Sequence, residues 1–198
     1  MQRRELLKLS ALLLGTAASA SLSRAVLAGA GTASKTTTSP FTKAQQQSIR
    51  LLSDMIIPPT DTPGAVEAGV PAFINSIYAD WYTDAERKIF SDGLAALDAF
   101  CIKQEKKSFD TASAEARLAA LRDQESIASQ YKSPLGAGSP FKQADDENAP
   151  FFKKIKELVV LGYYTSEVGA TQELAYLPMP GYYDGNYDYA KAGRPWSN

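Results

Sequence analysis

Histidine is absent from this sequence, and cysteine occurs once, at Cys101. The first absence removes the commonest general base, zinc ligand and haem ligand. It makes Ser-His-Asp and Cys-His catalysis impossible. A single thiol excludes a four-thiolate iron–sulfur cluster, an internal disulfide and a CxxCH haem attachment. Neither GxGxxG nor GxxxxGK[ST] occurs, so the usual dinucleotide and phosphate loops are missing too. Catalysis by paired carboxylates alone stays open. Asp61 and Glu167 are the acids to examine for it, set against a structural reading as turn-forming and capping groups.

A long apolar run is also lacking. The best stretch, Leu9 to Ser23, holds 15 uncharged residues between Lys8 and Arg24 and is broken by Ser10, Gly15, Thr16 and Ser19. A spanning helix needs about 20 residues. What stands there instead is an export signal in residues 1–30. Arg3 and Arg4 lead into Leu6-Leu7-Lys8, a twin-arginine pattern with Leu6 where Phe is commonest. An apolar region and small residues follow, with cleavage sites of the A-x-A kind at Ala28-Gly-Ala30 or Val26-Leu-Ala28. The expected location is therefore the periplasm. The twin-arginine translocase carries folded proteins, commonly cofactor-loaded ones or their partners. Taking Arg3, Arg4, Lys8 and Arg24 from the 21 basic residues, and Glu5 from the 22 acidic ones, leaves a mature net charge near −4. That is no footprint for nucleic acid or for an anionic membrane surface.

Along the mature chain, residues 31–41 form a flexible leader and 42–198 one helical domain. Thr42 with Gln45 is a capping box, followed by Ile49, Leu52, Met55 and Ile56 on one helical face. Pro58-Pro59 stops that helix. Between Thr60 and Pro71, Asp61, Pro63 and Gly64 are turn residues, Thr62 can cap a short turn and Gly69 can close it. Pro71 then opens a helix with Phe73, Ile74, Ile77, Tyr78 and Trp81 on its apolar side. Thr83 with Glu86 opens another, carrying Ile89, Phe90, Leu94, Leu97 and Cys101 to about Lys107. A further helix starts near Ser113 with Leu118 and Leu121 inward. Residues 132–147 read as a long loop, and Asn148 and Pro150 open a helix to Tyr164. Cys101 is either a small apolar residue on a helix face or an intersubunit thiol.

After Ala175 helical periodicity is lost. The tail, 176–198, holds Tyr176, Tyr182, Tyr183, Tyr187, Tyr189 and Trp196 among prolines and glycines. Aromatic side chains carry large areas to bury, so the tail either wraps its own domain or docks on another protein, with Tyr182, Tyr183, Tyr187 and Trp196 as partner-binding candidates. No run of alternating strands appears. The expected fold is all-α: a small irregular helical domain with an extended aromatic tail.

Two segments carry a family resemblance: Ile57-Pro-Pro-Thr-Asp61-Thr-Pro63-Gly64-Ala-Val-Glu-Ala-Gly69-Val-Pro71-Ala-Phe73-Ile74, and Gly162-Tyr-Tyr-Thr-Ser-Glu167-Val-Gly169-Ala-Thr-Gln172-Glu-Leu174 with Pro180-Gly181-Tyr182. Together they resemble the gluconate 2-dehydrogenase subunit 3 family, over roughly residues 43–198. The resemblance implies a small subunit with no redox centre of its own. Its implied partners are an FAD-binding catalytic dehydrogenase subunit and a multihaem cytochrome c subunit, so FAD and haem c are expected in those partners and no cofactor in this chain. It implies a complex at the inner membrane that oxidises a sugar, polyol or aldonate, with this chain bearing the export signal and supporting assembly. It supplies no catalytic or metal-binding residue; Asp61, Pro63, Gly64, Gly69, Glu167 and Gly169 enter as structural motif positions. An independent carboxylate-based enzyme and a binding module without a dehydrogenase partner are the competing expectations.

Overall fold

The computed structural model describes residues 39–134, 146–177, 181 and 186–196. The chain divides into two units, Met1–Ser39 and Pro40–Asn198; all but Ser39 of the first lies outside the described residues. The second unit is all-α. Its helices are α1 (Lys43–Ile56), α2 (Val70–Asp80), α3 (Asp84–Glu105), α4 (Ala114–Gln130), α5 (Phe151–Tyr164) and the short α6 (Tyr189–Ala192), with a π-helical turn at Gly169–Glu173. The one β feature among the described residues is an isolated parallel bridge between Ala175 and Trp196.

Local chemistry sets most helix starts. Thr42 Oγ1 accepts the Gln45 N–H at 3.3 Å while Gln45 Oε1 accepts the Thr42 N–H at 2.9 Å, so α1 opens with a reciprocal cap. Thr83 and Glu86 repeat the device at α3, and Ser113 Oγ caps α4 through the Ala116 N–H at 3.2 Å. Each such cap contributes about 1 kcal/mol. α3 ends at Glu105, slightly before the expected Lys107, because Lys106 takes the left-handed conformation at φ 61°.

α5 is the central element, packed against α1, α2, α3, α4 and the π-turn. Its inward stripe is Phe151, Lys154, Ile155, Leu158, Val159, Gly162 and Tyr163, a helical i, i+3, i+4 pattern. Around Phe90 of α3 the rings of Phe41, Tyr78, Tyr82 and Phe151 close at centroid distances of 5.7, 5.6, 6.1 and 5.2 Å. Burying one such side chain is worth about 1.5–3 kcal/mol. The Phe151 ring sits where Gly93 has no side chain: a Cβ there would lie 2.0 Å from Phe151 Cγ. Gly93 therefore sets how closely α3 and α5 approach.

Two expected core positions are corrected. Trp81 is 79% exposed, because it lies one residue past α2, where the chain turns and the helical period lapses. Leu118 is 44% exposed, because α4 packs through the small residues Ala116, Ala120 and Ala128 with Leu121. Leu118 lies two residues from Ala116 and two from Ala120, on the opposite side of the helix. Cys101 is wholly buried on α3, its Sγ 3.9 Å from the Ala116 carbonyl oxygen. It fills the α3–α4 contact as a small core residue, and a bond to another subunit would require that core to open. Most of the expected 132–147 loop lies outside the described residues.

Candidate functional site

The two motif segments, far apart in sequence, meet in space. Tyr163 of α5 is 2% exposed and its Oη donates to the Pro63 carbonyl oxygen at 2.9 Å, with Thr62 Oγ1 3.4 Å away. Thr62 Oγ1 donates to Glu173 Oε2 of the π-turn at 2.6 Å. The loop of the first segment is thereby tied to both ends of the second. Within that loop Ala65 N–H bonds the Ile57 carbonyl and Val70 N–H bonds the Ala65 carbonyl, each at 3.0 Å. Gly64 is buried, its backbone pressed against Pro59. Pro63 supplies the carbonyl that Tyr163 uses. Gly69 stands at φ 81°, a left-handed conformation that L side chains adopt at a cost, and is the N-cap of α2. Gly169 starts the π-turn where the chain folds back on α5; a Cβ there would lie 2.0 Å from the Tyr163 carbonyl oxygen.

Asp61 and Glu167 are both exposed. The local turn and cap bonds come from their neighbours. Thr60 N–H bonds the Thr62 carbonyl at 3.0 Å. Ser166 Oγ accepts the Gly169 N–H at 3.0 Å and donates to the Tyr163 carbonyl at 2.6 Å. Thr62, expected to cap its own turn, instead reaches across to Glu173. An open cavity of about 250 Å³ lies between α1 and the first motif, bordered by Arg50, Asp54, Pro59, Gly64 and Glu67. Among the described residues, no three His, Cys, Asp or Glu side chains gather as a metal site, and no helix is long and apolar enough to cross a membrane.

The motif junction makes a direct prediction. Tyr163→Phe keeps the packed ring and removes the hydroxyl that satisfies the Pro63 carbonyl. It should cost about 1–2 kcal/mol, read as a lower urea midpoint at unchanged slope. An unchanged midpoint would show that this bond does not hold the two segments together.

A buried polar cluster was not visible in the sequence patterns. Lys154 has a side chain only 4% exposed and is paired with Glu86 Oε1 at 2.8 Å. Its Nζ also donates to the Asp146 carbonyl oxygen at 3.2 Å and sits 5.4 Å from the Tyr82 ring centroid. The buried Asp146 accepts from Tyr131 Oη and from Asn148 N–H, each at 3.0 Å. Burial alone would oppose ionisation of Glu86, but the hydrogen bonds from Lys154 and Thr83, with the Lys154 charge, outweigh it and hold the carboxyl below its usual range. Asp146 is likewise held low: bonds from Ser133, Tyr131 and the Asn148 backbone, and the Lys154 charge, overcome its burial. The signal for this cluster was a lysine standing on the inward stripe of α5. Together its bonds join α3, α5 and the segments that flank α4 and α5, so it does structural work in this domain.

The tail turns back on itself. Ala175 N–H donates to the Pro195 carbonyl oxygen at 2.8 Å, and Arg194 Nη1 donates to the Gln172 carbonyl oxygen. Tyr187 and Trp196 meet edge to face at 6.2 Å, and both are about half exposed. The backbone of the tail's end is thus fastened beside the π-turn, while these rings remain largely in solvent. Tyr182, Tyr183, Arg3 and Arg4 lie outside the described residues.

No curated protein and no solved structure matches the chain. One family's sequence model, described as gluconate 2-dehydrogenase subunit 3, matches residues 43–181. That span takes in α1 through the π-turn and both segments joined at Tyr163, Thr62 and Glu173. The chain belongs to the gluconate 2-dehydrogenase subunit 3 family, a family of dehydrogenase-complex subunits.

Proposed function

We propose that this chain is the non-catalytic small subunit that escorts an FAD-dependent sugar, polyol or aldonate dehydrogenase to the periplasm and supports its assembly. The observation that carries this reading is the family membership of a chain with no histidine and one buried cysteine. Such a chain lacks histidine, the commonest haem ligand, and the four thiolates of an iron–sulfur cluster, and in this reading the redox chemistry of the complex falls to partners. The catalytic partner would bind FAD, and a multihaem cytochrome c subunit would pass the electrons on. Arg3 and Arg4 supply an export address of the kind used for folded cargo. In this reading one address serves two proteins, and the assembled complex works at the inner membrane. The half-exposed rings of Tyr187 and Trp196, with Tyr182 and Tyr183 between the tail's fastened ends in sequence, are the partner-binding candidates.

The test is co-expression of the flavin-containing catalytic subunit with and without this chain. Flavin content and dehydrogenase activity are then measured in the periplasm and cytoplasm. Periplasmic, flavin-loaded activity should depend on the chain. Equal periplasmic activity in its absence would refute the escort role. Turnover of a glycoside or lactone by the purified chain alone would instead favour an independent carboxylate enzyme.

A further inference from the structure

The C-terminal half of α5 breaks the rule for a surface helix. Its first half is amphipathic, with Lys156 and Glu157 facing water. From Leu158 to Tyr164 there is no charged or strongly polar side chain at all. Leu158, Val159, Gly162 and Tyr163 face the core, yet Val160, Leu161 and Tyr164 face solvent. A helix that is apolar all round is normally covered on all sides.

The exposure does not end with the helix. In chain order it resumes at Tyr176 and Leu177, directly after the π-turn that packs on α5, and again at Tyr187 and Trp196 in the fastened tail. These seven side chains are each between 38% and 55% exposed. At that exposure, side chains of this size present roughly 600 Å² together. The π-turn leads into the tail from beside the end of the α5 ridge: a Cβ on Gly169 would lie 3.2 Å from Tyr164 Cα. Four of the seven, Tyr164, Tyr176, Tyr187 and Trp196, are of the types enriched at interface centres, and none is charged. The backbone beneath is held by the Ala175–Pro195 bond and the Arg194–Gln172 bond. At those two points the backbone needs no ordering on binding.

We propose that the outward ridge Val160–Leu161–Tyr164 of α5, continued by the Ala175–Trp196 closure of the tail, is the surface on which the catalytic dehydrogenase subunit sits. The occupant follows from the family, whose members are subunits of a dehydrogenase complex. The inference rests on the escort reading above and adds a site to it: the docking surface extends from the aromatic tail onto the central helix of the fold.

The test uses the full chain co-expressed with the flavin-containing catalytic subunit. Leu161→Glu and Trp196→Ala are compared with Leu118→Glu, an equally exposed apolar position on α4. Affinity is measured on the purified complex, and folding is checked by thermal denaturation of each variant. Leu161→Glu should weaken the complex by about tenfold or more with thermal stability unchanged, and Trp196→Ala should weaken it in the same direction. Leu118→Glu should bind as wild type. Equal binding by Leu161→Glu and wild type would overturn the site while leaving the escort reading intact; failure of the wild-type chain to bind would overturn the escort reading itself. A homodimer of the isolated chain abolished by Leu161→Glu, or vesicle binding abolished by it, would assign the ridge to a second copy or to lipid and refute the proposal.

Discussion

Gly93→Ala should destabilise the domain by about 2 kcal/mol, although helix propensity alone argues the opposite. Gly93 lies inside the 22-residue α3, and exchanging an interior glycine for alanine normally gains about 1 kcal/mol. Here the added methyl would lie 2.0 Å from Phe151 Cγ and 2.4 Å from Phe151 Cβ. Those atoms are the stem of the side chain, so no swing of a flexible end relieves the contact. Either α5 moves away from α3 or the Phe90–Phe151 ring contact at 5.2 Å is lost. Overpacking of this kind costs about 1–3 kcal/mol and more when backbone must shift, which outweighs the propensity gain. Chemical denaturation decides the sign. Adding Phe151→Leu to Gly93→Ala should recover part of the loss, because the two changes share one contact. A more stable Gly93→Ala would contradict the close α3–α5 approach.

Glu86→Gln should cost about 3 kcal/mol, mostly by leaving Lys154 charged and buried without its counterion. Glutamine can keep the cap, as Gln45 does at the start of α1, by turning its one amide oxygen to the Thr83 N–H that Glu86 Oε2 accepts; its NH2 then faces Lys154 Nζ, so the counterion and the acceptor for Lys154 are lost together. Removing one partner of a buried pair is costly because the other charge remains desolvated. Glu86→Gln with Lys154→Met should therefore recover most of the loss. The pH dependence carries the same signature. Glu86 and Asp146 both have folded-state carboxyls held below their ordinary ranges, so the unfolded chain binds more protons between the folded and unfolded values. Their stabilisation is complete above the ordinary carboxylate range, about pH 4 to 4.5, and is lost as pH falls through the depressed values. Wild type should lose stability there more steeply than Glu86→Gln. Parallel pH profiles would show that this pair does not set the acid limit.

The parts of the fold legible in the sequence were those encoded locally. Both capping boxes, the Ser113 start and the α5 stripe depend on residues three or four apart, and each element stands where those signals place it. The double proline after Ile57 and the glycine at position 69 likewise act on their immediate neighbours. What could not be read is long-range. The Tyr163–Pro63, Thr62–Glu173 and Lys154–Glu86 bonds span 100, 111 and 68 residues. No periodicity announces which distant loop a hydroxyl or an ammonium will meet. Trp81 and Leu118 were misplaced because pattern continues past a helix end and because alanine can carry a packing face as well as leucine. Gly93, which helix propensity alone would mark as a weak point, is a contact surface. The two motif segments were visible as a family resemblance, whereas their union around Tyr163 required the fold.

The escort role can be tested most directly at its two arginines. In cells expressing the flavin-containing catalytic subunit with this chain carrying Arg3→Lys and Arg4→Lys, the quantity to measure is flavin-loaded dehydrogenase in periplasm and cytoplasm. The substitutions keep the charge and alter only the paired guanidinium groups that mark the twin-arginine pattern. The expected result is catalytic subunit retained in the cytoplasm with flavin bound, and periplasmic activity lost. Undiminished periplasmic activity with both lysines in place would contradict the claim that this chain carries the address for its partner.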